Sequence, residues 1–348
     1  MREYLYFLWR CARISFSGDW RYYSWMLFLT VIGLLGLNAY TKQLVHGLVT
    51  TGMTDQVSWG LYIANFTFLV GMAAAAVMLV IPVYVYRKHE LHDLVIFGEL
   101  LAVAAILMCM GFVSVDLGRP DRFMHILWRF NFPVSMLSWD VIVLNVYLVL
   151  NVHICGYLIY CAYNKRKPSP IFYIPFVFLA IIWAFSIHTV TAFLYVGLGG
   201  RPFWNSAIIA PRFLSSAFAA GPAFIILTLQ IIRWVSDYKI TDQALGLLRN
   251  IITVALTINM FLLGCELFTE YYSGSTHIVS TDYLYRGLHG FNALVPWIWT
   301  SIAMTTTALI VLYTPLRDKL RFVNVACVLI IIGIWIEKGM GLDRKSVV

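Results

Sequence analysis

Asp116, His125, Asp140, His188, Glu266 and Glu270 are ionisable residues set in or beside long apolar stretches, at or near the ends of segments that point the same way. A charged group at mid-bilayer costs about 2.5–3.5 kcal/mol on insertion scales, so such residues usually have a task. Carboxylates and an imidazole at one level suit proton exchange, because an imidazole with its ordinary pKa of about 6.5 readily takes up or releases a proton. They predict a polar pocket opening toward one aqueous face.

Each of these residues also has a plainer reading. In Asp116-Leu117-Gly118-Arg119-Pro120-Asp121-Arg122-Phe123, Gly-Arg-Pro turns the chain, and the interleaved Asp and Arg either rigidify the loop as ion pairs or form a docking surface, with Asp116 and His125 lining a pocket. His188, in Ser186-Ile187-His188-Thr189-Val190-Thr191, is a hydrogen-bonded packing residue, a haem ligand lacking a second histidine at matching depth (His153 reads as closer to the opposite half), or a proton-exchanging group. Glu266 and Glu270 are four apart and share a helix face, where two carboxylates favour one shared proton; alternatively Glu266 pairs with an arginine and Glu270 is solvated. Asp140 opens a helix, where a carboxylate also complements the helix dipole. Glu99, Asn145, Asn151 and His153 lie deeper, either as rungs of a proton path or, the reading favoured here, as interhelical hydrogen bonds.

These residues need a membrane scaffold to position them. The chain has 348 residues, 61% hydrophobic and only 12% charged, with mean hydropathy +0.79. Soluble domains carry roughly 25% charge, so this is an all-α integral membrane protein. A span needs about 20 apolar residues. Such spans are expected at Tyr22–Val45, Trp59–Tyr86, His92–Val115, Met136–Tyr160, Ile171–Leu198, Phe213–Val235, Ala244–Tyr272, Phe291–Tyr313 and Leu320–Ile336.

Gly71-Met72-Ala73-Ala74-Ala75-Ala76 in the second span and Ala217-Phe218-Ala219-Ala220-Gly221-Pro222 in the sixth each open a set of four helices. Small residues let helices pack closely, which is the plainer reading; the other is a parallel internal repeat. The organisation expected is an N-tail and peripheral first helix over 1–58, four-helix bundles over 59–198 and 199–336, and a C-terminal segment over 337–348.

The +8 net charge is spread over short loops rather than a stripe, which argues against nucleic acid and for topology signals. Fourteen Lys and Arg fall in the N-tail and the loops after even-numbered spans, against eight on the opposite side, Arg212 and Lys338 among the eight. The positive-inside rule then places the N-terminus in the cytoplasm of a multi-pass cell-membrane protein, with the loops 46–58, 116–135, 199–212 and 273–290 outward. The first span is expected to act as its own insertion signal. Six cysteines show no cluster spacing, so neither a metal nor an iron–sulfur site is expected.

Trp59-Gly60-Leu61-Tyr62 through Phe68-Leu69-Val70-Gly71, the Asp116–Pro120 turn, and Ser186–Val190 followed by Arg212-Phe213-Leu214-Ser215-Ser216-Ala217 together resemble the NrfD/PsrC family. These are membrane subunits of polysulfide reductase, formate-dependent nitrite reductase and related respiratory complexes. The chain is most similar to the longer branch, which includes the membrane subunits of the Dsr, Hmc and Qrc complexes and alternative complex III, the Dsr member above all. The resemblance implies two four-helix bundles, no haem or iron–sulfur cluster on this chain, and a menaquinone site at the outer face. A ferredoxin-like iron–sulfur subunit would dock there, often beside a multihaem cytochrome c. His188, Asp116, Glu266 and Asp140 are the candidates for proton exchange with the quinol; His125, Asn65, Tyr62 and Glu270 are the candidates for holding it. Two departures stand out. Ala192-Phe193-Leu194-Tyr195 lacks an acidic residue some relatives carry, and the chain ends at the ninth span where the longer branch has a tenth. The rival classes are an ion-translocating or transporter-like module and a purely structural anchor.

Overall fold

The computed structural model describes residues 2–53, 59–87, 89–198, 204–274 and 277–339. Lys88, Arg201, Arg344 and Lys345, and the segment past the ninth span on which the expected departure from the longer branch bears, lie outside them. Among the described residues there is no strand, and nine helices are long and apolar enough to cross a membrane. The chain is a multi-pass membrane protein.

The first helix, α1 (Arg2–Ser15), falls within the N-tail and does not span. At 14 residues it is too short to cross. Phe7 packs on the rings of Tyr160 and Tyr163, and Arg10 donates to the Tyr163 hydroxyl at 3.1 Å. Span α2 (Trp20–His46) is peripheral, with none of its apolar window buried. Its end is tied by Gln43, whose Nε2 donates to the Val115 carbonyl at 2.6 Å while its Oε1 accepts from Tyr62 at 2.9 Å.

The spans α3 (Leu61–Val85), α4 (Val95–Asp116), α5 (Met136–Tyr163) and α6 (Pro170–Val196) follow; α3 packs on α4, α4 on α5, and α5 on α6. Next come α7 (Ile209–Val235) and α8 (Asp242–Ser273), the short non-spanning α9 (His277–Tyr285), then α10 (Val295–Tyr313) and α11 (Leu320–Gly339). Here α7 packs on α8, α10 on α11, and α11 returns to α7. The eighth span begins at Val295 rather than Phe291, because Leu288 and Phe291 close a turn ahead of it.

The two sets meet where α7 crosses α3 and α6. The small-residue runs of the second and sixth spans are opposed there: a Cβ on Gly71 would lie 3.5 Å from the Ala217 Cβ, and one on Gly221 only 2.5 Å from the Ala75 Cβ. These runs act as a packing seam. Near that seam α3 is interrupted at Ala74, and its last turn, which contains Pro82, widens so that Tyr86 N–H donates to the Ile81 carbonyl five residues back. By contrast α7 runs unbroken through Pro222.

Candidate functional site

Because the spans alternate in direction, the C-termini of α4, α6, α8 and α11 share one end with the N-termini of α3, α5, α7 and α10. His188 lies eight residues before the last residue of α6, about 12 Å in at 1.5 Å per residue. Asp140, Asp116, Glu266 and Glu270 occupy the same end region of α5, α4 and α8, as do Arg212 of α7 and Glu337 and Lys338 of α11.

His188 is 2% exposed. Its Nδ1 lies 2.9 Å from the Ala184 carbonyl of the preceding turn, and a carbonyl only accepts, so Nδ1 carries the proton of the neutral ring. The other nitrogen, Nε2, is buried with no hydrogen-bond partner among the described residues. His188 borders a narrow cavity between α3, α6, α7 and α11, lined also by Thr67, Phe213, Ser216 and Lys338. At about 10 Å³ the cavity is near the threshold for one water. It does not admit an aromatic ring.

Asp140 is 3% exposed and accepts from the Thr191 hydroxyl at 2.9 Å, which joins α5 to α6 one turn from His188. Asp116 closes α4 with Oδ1 buried and without a partner among the described residues, close enough to Tyr62 to interact electrostatically. Asn65 accepts from the Trp335 indole at 2.8 Å, joining α3 to α11.

Glu266 and Glu270 each have a partner on another helix. Glu266 forms an ion pair with Arg212, which also pairs with Glu337, and Glu270 accepts from the Thr281 hydroxyl of α9. Spacing along one helix puts the two carboxylates on one face, and a different neighbouring helix partners each, α7 through Arg212 and α9 through Thr281. Tyr285, at the end of α9 and outside the spans, is 7% exposed, and burial holds its phenol above the usual range despite the nearby Arg212.

His125 is exposed on a single helical turn, His125–Trp128, and does not join the buried groups. Asn145 and Asn151 bond back to carbonyls of their own helix, at 2.8 and 2.7 Å, rather than across to a neighbour. His153 does reach across, its Nε2 2.9 Å from the Phe172 carbonyl. Glu99 is buried, its Oε2 without a partner among the described residues.

Arg212, Glu337 and Lys338 belong to this end but were not among the candidate site residues. Arg212 and Lys338 look like loop cations because they lie beside the expected span limits, Phe213 and Ile336, yet both are under 10% exposed. The available signal was apolar sequence before Arg212, Ile208-Ile209-Ala210-Pro211, which carries the helix past it.

Two larger spaces adjoin this end. A polar cavity of about 270 Å³ is lined by Asn205, Ser206, Glu266, Thr269, Glu270 and Ser273. A lipid-side apolar groove of about 610 Å³ runs along Met78, Leu214, Phe218, Val254 and Ile258. Phe218 stands between that groove and His188, the two ring centroids 6.5 Å apart. The arrangement can move protons between a buried imidazole and carboxylates, next to a groove that suits an apolar ring and tail.

Residues 49–339 match the family model described as polysulphide reductase, NrfD. The chain belongs to the NrfD family. A provisionally named dimethyl sulfoxide reductase membrane subunit of Halobacterium salinarum is 23% identical over 334 residues, covering 90% of this chain and 75% of that protein. A selenate reductase subunit of Mesobacillus selenatarsenatis is 23% identical over 90% of this chain and 79% of its own length. The Hdr-like menaquinol oxidoreductase integral membrane subunit of Archaeoglobus fulgidus is 23% identical over 211 residues, 60% of this chain and half of that relative. The matched region of this NrfD-family chain contains all eight candidate residues, from Tyr62 to Glu270, and Lys338 as well.

Proposed function

We propose that this chain is the quinone-reactive membrane subunit of a multisubunit respiratory oxidoreductase. The observation that carries the reading is the Nε2 of His188, buried without a hydrogen-bond partner among the described residues at the same end as Asp140 and Asp116, its ring 6.5 Å from that of Phe218, which lines a lipid-side groove. The menaquinol relative supports the substrate class.

In this reading menaquinol enters along the groove, and its ring reaches His188 when Phe218 turns aside. Oxidation releases two electrons and two protons. His188 takes one proton at Nε2, and Asp140 or Asp116 takes the other; Glu266, held by Arg212, is the weaker candidate. The electrons leave to an iron–sulfur subunit of ferredoxin type docked on the outer face, with a multihaem cytochrome c beyond it. Quinone reduction uses the same groups with protons moving inward. The N-terminus lies in the cytoplasm, and the charge bias for that orientation grows once Arg212 and Lys338 are counted as buried rather than as loop residues.

The test is titration of the purified complex with a quinone analogue, with His188→Gln alongside. Saturable binding in the parent complex, and quinol oxidation abolished by His188→Gln with assembly intact, are expected. Normal turnover in that variant removes His188 from the mechanism. Absence of analogue binding favours an ion-translocating module or a structural anchor.

A further inference from the structure

Lys338 is 5% exposed, although it lies two residues past the end of the last apolar run. A buried lysine is costly and calls for a partner or a task. Its Nζ is 3.6 Å from the centroid of the Phe213 ring, a face that favours the ammonium form. It borders the same water-sized cavity as His188 and interacts with it electrostatically. Its neighbour Glu337 pairs with Arg212, Arg212 pairs with Glu266, and Glu266 lines the polar cavity at the helix ends. These groups make a row from a buried imidazole nitrogen to a polar opening. The other groups facing the row are the Thr67 hydroxyl of α3, which pairs with Tyr195, Glu270 of α8, and Tyr285 of α9.

We propose that Lys338 is a proton relay between His188 and the Arg212–Glu266–Glu337 network, working through one water in the shared cavity. The source of the proton rests on the quinone reading above. The Lys338 ammonium gives a proton to the Glu337 carboxylate, and the resulting amine takes one from the water as protonated His188 gives its Nε2 proton to that water. The ammonium is thereby restored, and the relay delivers its proton to Glu337, on the edge of the Arg212 network. Arg212 holds the carboxylates and does not itself exchange, since a guanidinium keeps its proton in proteins.

That last property supplies the test. Lys338→Arg keeps the charge beside Glu337 and Phe213 but cannot release a proton, so a structural cation is preserved while a relay is broken. In the purified complex Lys338→Arg is expected to keep the parent melting temperature and quinone-analogue affinity. Its kcat for quinol oxidation is expected to fall about tenfold or more with KM unchanged, and its solvent deuterium isotope effect to rise. Should Lys338→Arg fail to assemble, the charge-balanced pair Lys338→Met with Glu337→Gln is measured in the same way. Parent turnover in the assembled variant overturns the relay and leaves the quinone reading standing. Failure of the parent complex to bind the analogue overturns the quinone reading, and the relay with it.

Discussion

The Thr191 hydroxyl donates to Asp140 Oδ1 at 2.9 Å, across 51 residues of sequence and between two spans, with both side chains buried. His188 lies one turn from Thr191 on the same helix. The bond therefore sets the carboxylate at the depth of the imidazole, and it gives Asp140 a use beyond complementing the start of α5.

Replacing Thr191 by Val removes that donor with little change of shape. Interhelical hydrogen bonds in membranes are worth about 0.6 kcal/mol on average, so a small loss in thermal stability of the purified complex is expected. Asp140→Asn can still accept the bond but cannot take up a proton in the same way. Its melting temperature is expected to stay near the parent's while quinol oxidation falls about a hundredfold. Equal turnover for Asp140→Asn and the parent would leave Asp140 a purely structural role.

Arg212 holds Glu266 and Glu337 together inside the protein. Arg212→Met strands two buried carboxylates, and breaking a buried pair in this way costs about 3–5 kcal/mol. Adding Glu266→Gln and Glu337→Gln removes the stranded charges, so the triple variant is expected to recover most of the loss. Chemical denaturation in detergent compares the three.

At Gly221 an added Cβ would meet the Ala75 Cβ at 2.5 Å and its Cα at 3.0 Å, a contact with backbone that cannot swing away. Gly221→Val is expected to destabilise by about 1–3 kcal/mol or to block assembly. At Gly264 a Cβ meets nothing within 4 Å, so Gly264→Ala serves as the neutral control. Equal melting temperatures for the two variants would mean that α3 and α7 do not meet in this way.

The loop after α4 carries a two-bond ion pair in which Arg119 Nε and Nη2 reach the Asp121 carboxylate at 3.0 and 2.9 Å, both side chains exposed. The Arg119 hydrogen bond holds the Asp121 carboxyl below the usual range. A depressed folded-state value means that the pair is present above an ordinary aspartate pKa of about 4 and is lost only as pH falls further. If this loop docks the electron-transfer partner, Arg122→Glu weakens that association, and the Arg119–Asp121 pair adds no pH dependence of its own to it between about pH 5 and 8. Surface-plasmon measurements on reconstituted subunits check both.

The nine spans were legible without coordinates because apolarity over some twenty residues is a local property, and a bilayer imposes it on every helix alike. The same reasoning missed α1, whose 14 residues alternate Arg with Trp, Tyr and Leu and settle against Tyr160 and Tyr163 instead of crossing. It also stopped two helices short of their charged ends, so Arg212, Glu337 and Lys338 were passed over as site residues.

What the amino-acid order determined by itself is therefore the membrane class, the spans and the level at which His188 and the carboxylates gather, since each depends on residues close together in the chain. Only the tertiary structure decided who partners whom. Arg212 meets Glu266 from 54 residues away and Glu337 from 125, and His188 shares a cavity with Lys338 of the last helix. Ion pairs and cavities belong to the spaces between helices, and the pattern along one helix carries no record of which neighbour fills them.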